Sequence, residues 1–271
     1  LFASAAAVNS MASVLVVTMA AAEHREKIQC LLDSQVNVSF VDSERTTAME
    51  LRYMAQDQEK REIRLVSRAQ SFAAEHVPGI SVSIYQLSGL LHGEIPCELI
   101  TLLSRKGAIA DDVQGVVRHS QDGKLVLKDW VDKEKFLPYI EYLKTDAAEA
   151  EILTGTDERS KAAEILYTMG AKEVMITHNR ELTVYAEGQC FSVPFTAEHL
   201  RGRTGRGDTC FAAYLAWRLN HSIEESVVYA AALTSMKMET AGVFKKTYKD
   251  VIANIERNYK NTTASCSKRA R

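Results

Sequence analysis

The 271 residues predict an α/β fold: a mostly parallel sheet flanked by helices, with a small β lid. Three observations carry that expectation. Short apolar runs alternate with helix-like stretches of ten or so residues, which implies right-handed βαβ units. The run Glu173-Val174-Met175-Ile176-Thr177 reads as a strand buried in such a sheet. From Thr46 to Arg68, charges alternate with Met49, Leu51, Tyr53, Ile63 and Leu65, the pattern of a half-buried antiparallel ribbon.

Taken in order, a small-residue helix opens the chain and the strand Val14 to Thr18 follows. Glu23 to Asp33 reads as a helix and Val36 to Val41 as a strand. The ribbon comes next, its halves joined by the charged turn Gln56 to Lys60. Ile80, Val82 and Ile84 alternate as a strand; Ile95 to Lys106 is a helix stopped by Gly107, and Ala108 to Val113 a strand. Helices are expected over Lys133 to Tyr142, Ala147 to Thr154 and Arg159 to Met169, the last stopped by Gly170. A hairpin, Leu182 to Ala186 and Gln189 to Phe195, turns at Glu187-Gly188. Helices then span Cys210 to Leu219, Ile223 to Glu239 and Tyr248 to Asn258. Residues 1–45 and 69–258 thus form an α/β body, 46–68 a lid, and 259–271 a basic tail expected to fray.

Net charge is −2 with both signs interspersed, which leaves no broad basic field for nucleic acid or an anionic membrane. A small-molecule ligand fits better. Five scattered cysteines without a Cys-x-x-Cys pair argue against a disulfide framework or a zinc knuckle and for a reducing, cytoplasmic setting. No histidines fall at helical spacing for a metal. The uncharged stretch Leu1 to Ala22 is alanine-rich, carries five hydroxyl or amide side chains and lacks a basic flank, so a helix and strand explain it better than a signal peptide or membrane span.

The sharpest motif is Gly202-Arg203-Thr204-Gly205-Arg206-Gly207-Asp208-Thr209, set directly before a helix. Glycines bring backbone N–H groups close to an anion, and the helix start adds the positive end of its dipole. A carboxylate there would repel phosphate unless it had a task, such as accepting the proton of an attacking hydroxyl. The run therefore suggests phosphoryl transfer to an alcohol. It fits neither a P-loop nor a dinucleotide fingerprint, whose third glycine would fall at Cys210. Asp146-Ala147-Ala148-Glu149 reads first as a capping box and, second, as a carboxylate reaching from a helix start toward water and magnesium. Thr177-His178-Asn179-Arg180 and Asp111-Asp112-Val113-Gln114-Gly115 each close a strand on the edge where α/β sheets bind ligands, though each is also an ordinary turn.

In this order the pieces resemble the PfkB, or ribokinase-like, family of carbohydrate and nucleoside kinases, over nearly the whole sequence. Gly205-Arg206-Gly207-Asp208 matches the last four positions of that family's Asp-Thr-x-Gly-Ala-Gly-Asp motif. The resemblance makes Asp208 the base and Gly205, Arg206 and Gly207 the anion hole. It implies ATP as donor, with Thr177 and Asn179 in the nucleotide loop and Ala231, Ser235 and Met238 bordering the adenine. It also implies Mg²⁺ near Glu149 and Asp146, and a sugar, polyol or nucleoside acceptor, for which Asp112 and Gln114 are substrate-side candidates. The ribbon would cover the sugar, and its exposed edge could pair two subunits into a homodimer. There are departures: Gly202 and Arg203 stand where the family has Asp and Thr, so potassium activation is not expected; Arg206 replaces alanine, Asp146 asparagine and Asn179 glycine. The family's first strand and Gly-Gly pair have no counterpart, and a preceding segment of roughly 30 residues is the expectation. The rival reading is a kinase-shaped binding or regulatory protein without catalysis.

Overall fold

Glu173–Thr177 is buried at every position, and its side chains alternate between two cores: Val174 and Ile176 enter one, Met175 the other. That period of two, with apolar packing on both faces, makes it a central strand. A computed structural model describes residues 1–31, 35–54, 57–260 and 262. Its strands are β1 Leu15–Ala20, β2 Asn37–Asp42, β3 Ala48–Met54, β4 Asp57–Ser67, β5 Ile84–Leu87, β6 Ala108–Asp112, β7 Arg118–Gln121, β8 Lys124–Leu127, β9 Tyr142–Asp146, β10 Glu173–Thr177, β11 Glu181–Ala186 and β12 Gln189–Pro194. A six-stranded sheet runs β12-β11-β10-β9-β6-β5, with β5, β6, β9 and β10 parallel and the β11–β12 hairpin antiparallel at one end. β1 and β2 form a separate parallel pair.

One core sits under helices Arg206–Arg218 and Ile223–Met238, the other under Glu98–Leu103, Ala147–Thr154 and Arg159–Thr168. The fold is therefore α/β with helices on both faces, as the sequence pattern predicts. β3 and β4 join β8 and β7 in a four-stranded antiparallel sheet, tied to the body where Thr47 donates to Glu94 (2.6 Å) and Arg68 to the His92 carbonyl (2.9 Å). Among the described residues no helix is long and apolar enough to cross a membrane.

Several boundaries differ from expectation for local reasons. Pro138 stops the helix begun at Lys133 after Phe136, a 3₁₀ turn covers Leu137–Tyr139, and Tyr142–Asp146 is a strand rather than a helix end. The helix expected from Ile95 starts only at Glu98, after Pro96. Ile80 donates to the Pro78 carbonyl in a tight turn, so β5 begins at Ile84. β4 takes in Asp57 to Lys60, residues expected to form a turn, while Ala55 and Gln56 lie outside the described residues. The β7–β8 hairpin turns at Asp122-Gly123, both at positive φ, a type of turn its Asp-Gly pair encodes. Most of the basic tail also lies outside the described residues.

Candidate active site

Parallel pairing brings the carboxyl ends of three strands into line: Asp112 lies opposite Lys144, and Asp146 opposite Thr177. The glycine-rich loop sits on this edge. A Cβ placed on Gly207 would stand 3.1 Å from Lys144 Nζ and 3.9 Å from Thr177 Oγ1. Gly205 is the helix N-cap at φ +74°, and a Cβ there would strike the Phe2 ring at 2.1 Å, so conformation and space both demand glycine.

The helix starts at Arg206, earlier than expected, which places Asp208 in its first turn. Arg206 N–H bonds the Arg203 carbonyl at 3.2 Å. The N–H groups of Gly205, Gly207 and Asp208 have no acceptor among the described residues, so these three, rather than the Gly205 to Gly207 set, are the donors available to an anion. Asp208 is half-buried, and its carboxylate makes no hydrogen bond or ion pair among the described residues. It lies within the Coulombic field of Lys144 and Lys237.

Beneath the loop is a buried charge network. Lys144 Nζ donates to both oxygens of Asp112, at 2.8 and 3.1 Å. Burial works against the Lys144 charge, but Asp112, Glu149 and Asp208 outweigh it and raise its pKa. Asp112 is pushed up by burial and by Glu149 and Asp208, with Lys144 pulling the other way. Asp112 is thus engaged by an ammonium, and Gln114 is buried at the start of the short helix beside it. Asp111 is fully buried with an unpartnered Oδ2, its pKa raised to about 7 by burial and then by Asp112.

The Asp146–Glu149 capping box forms: Asp146 accepts from Glu149 N–H (2.9 Å) and Glu149 from Asp146 N–H (3.0 Å). The other Glu149 oxygen accepts from Arg118 at 2.9 Å, so both of its oxygens are committed to the protein. The other Asp146 oxygen has no hydrogen-bond partner among the described residues. Among the described residues no group of three or more His, Cys, Asp or Glu side chains could hold a metal. That is compatible with magnesium, which typically uses one or two carboxylates with water and substrate phosphate.

Past the end of β10, Arg159, His178, Asn179, Arg180 and Glu181 line an open cleft of about 570 Å³. Asn179 Oδ1, His178 Nδ1 and Arg159 Nε are buried there without a partner. Burial and then Arg159 lower the His178 pKa, with Arg206 and Arg180 adding to the effect and Glu181 opposing it, so the cleft has a positive field to which Arg206 of the glycine-rich loop contributes. The residues expected to border an adenine are placed differently. Ala231, Ser235 and Met238 are 0%, 2% and 3% exposed, and the Ser235 hydroxyl is bound among the Ala231 carbonyl, Thr196 N–H and Tyr259 hydroxyl.

Lys144, Lys237, Arg118 and Arg159 escaped the sequence reading. Lys144 was hidden because Leu143 to Asp146 was assigned no element between two expected helices; Lys237 carried a usable signal, a single charge inside the otherwise uncharged run Ala230 to Met238.

The pfkB family carbohydrate kinase model matches residues 12–247. The chain belongs to the pfkB family of carbohydrate kinases. A pyrophosphate-dependent kinase in the ribokinase family, solved as a sulfate complex, is 36% identical with TM-score 0.87 over 93% of this chain and 90% of its own. A structure of a kinase so described, complexed with a pyrophosphate analogue and myo-inositol, is also 36% identical, with TM-score 0.86 and the same coverage. Ribokinase from Arabidopsis thaliana, complexed with ribose and ATP, is 17% identical with TM-score 0.70 over 94% of this chain and 85% of its own, a likeness of fold. None of the curated proteins matches. Family membership makes the chain a ribokinase-like carbohydrate kinase.

Proposed function

We propose that this pfkB kinase transfers a phosphoryl group from inorganic pyrophosphate to a hydroxyl of a sugar or cyclic polyol, with Asp208 as general base. The observation that carries the reading is the pairing, at one helix start, of a carboxylate and three amides that have no hydrogen-bond partner among the described residues. Asp208 takes the acceptor hydroxyl proton as the oxygen attacks phosphorus; the bond to the leaving phosphate breaks and orthophosphate carries away its electron pair. The amides of Gly205, Gly207 and Asp208 face the charge that spreads over the transferred group. Lys144, tied to Asp112 beneath them, adds fixed positive charge.

Pyrophosphate is favoured over a nucleotide because the cleft is polar and presents Arg180 beside the Arg159–Glu181 ion pair, whereas Ala231, Ser235 and Met238 present no open face to a base. The 36% identical relatives described as pyrophosphate-dependent point the same way. ATP is the second reading, favoured by Thr177 and Asn179 standing at the β10 exit where the family resemblance expects a nucleotide loop. With either donor, Asp146 and, through water, Glu149 would hold Mg²⁺, which supplies neutralisation of phosphate charge. Asp208→Asn should lower turnover by about 10² to 10⁴ with the melting temperature preserved. Near-wild-type release of orthophosphate by a folded variant removes Asp208 as the base.

A further inference from the structure

Lys237 is the penultimate residue of the helix Ile223–Met238 and is 0% exposed, yet it carries an ammonium. Its Nζ donates to the backbone carbonyls of Gly202 and Thr204 and lies 5.2 Å from the centre of the Phe2 ring. The loop it grips is also hung from the same helix end, where Arg201 and Gly202 N–H both bond the Met238 carbonyl at 2.9 and 2.8 Å. Gly202 packs so closely that a Cβ would fall 1.8 Å from the Thr240 carbonyl oxygen. No side chain can therefore be added at Gly202 to hold the loop from within. Three residues later the same loop becomes the N-cap Gly205, against whose Cα the Phe2 ring is pressed.

We propose that Lys237 is a positioning residue that acts as a tethered monovalent cation, fixing the Gly202–Thr204 carbonyls and thereby the anion-hole amides that follow. A methionine or leucine would fill the same space without the cost of burying a charge. What the ammonium adds is a point charge with several donors, directed at carbonyl oxygens as a bound potassium or ammonium ion would be. Its field reaches Asp208 and Arg206. Burial and then Arg206 lower its pKa to about 8, Asp208 opposing, which leaves it mostly protonated at neutral pH. The inference rests on the phosphoryl-transfer reading for its kinetic consequence but not for its structural one.

The test uses wild type, Lys237→Ala and the volume-preserving Lys237→Met. Wild-type turnover should change less than about twofold when sodium is exchanged for potassium at constant ionic strength. Lys237→Ala should lose about 10²-fold in kcat and recover at least about tenfold in ammonium, methylammonium or potassium, but not in tetramethylammonium, which is too large for the carbonyl pair. In Lys237→Met, hydrogen exchange at the hydrogen-bonded loop amides of Arg201, Gly202, Arg206 and Thr209 should accelerate about tenfold relative to the helix interior, a readout independent of activity. Unchanged exchange, a folded Lys237→Ala within threefold of wild-type kcat, or loss that no small cation restores would each overturn the proposal. If wild type transfers no phosphoryl group, the functional reading fails while the exchange measurement still decides the role of Lys237.

Discussion

Two regions adjoin the glycine-rich loop and are built in opposite ways. On one side Arg159, His178, Asn179, Arg180 and Glu181 line an open cleft, with Arg159 paired to Glu181, polar atoms that have no partner among the described residues, and a net positive field at His178 to which Arg206 contributes. On the other, the helix Ile223–Met238 turns Ala231, Ser235 and Met238 into a closed core, with Ser235 bonded on several sides. An arginine-rich cleft recognises phosphate charge, whereas a nucleoside base needs an exposed apolar slot. On the proposed reading, the open flank of the loop is the one that sets donor choice.

Substitutions can break or sharpen that contrast. Met238→Ala should cost about 2 to 5 kcal/mol of stability by leaving a cavity, with the donor KM unchanged; a large donor effect with little destabilisation would mean that this flank touches ligand. Asp111 is a second closed position, on the opposite face of the sheet beside Cys97, where burial favours the protonated carboxyl. Its folded pKa of about 7 lies above the unfolded value, so the folded state holds the extra proton and stability falls as pH rises from about 4 to 7. Asp111→Asn should remove that slope and raise stability at pH 8 by about 2 to 4 kcal/mol, read as a higher melting temperature there but not near pH 4. On the open side, Arg180→Glu should raise the donor KM by about 10- to 30-fold and leave the acceptor KM within about twofold. Equal changes in both constants would place Arg180 outside the donor cleft. The smallest effect is expected from Glu149→Gln, a rise of about threefold in the magnesium needed for half-maximal rate, since its oxygens already bond Arg118 and Asp146.

The sheet and the cradle were legible because their physics is local. Glu173–Thr177 announces a buried strand, Ala147–Thr154 has its cap written at Asp146 and Glu149, and two glycines announce a helix start with Gly205 as its N-cap. What escaped depended on contacts between distant segments. β9 is a five-residue strand lying between two helix-like runs, of which only Tyr142 was assigned, to the first helix, so Lys144 went unnoticed. Ser235 and Met238 lie on a helix whose inner face is decided by packing against Pro194, Thr196 and Tyr259 from elsewhere in the chain. The cleft cations come from separate elements, with Arg159 opening a helix and Arg180 following β10.

The most direct test compares kcat/KM for pyrophosphate and for ATP, each with Mg²⁺ and a saturating polyol such as myo-inositol. A preference of at least about tenfold for pyrophosphate is expected. An equal rate, or a preference for ATP, would contradict a donor cleft built for inorganic phosphate and return the closed flank to the role of a nucleotide site.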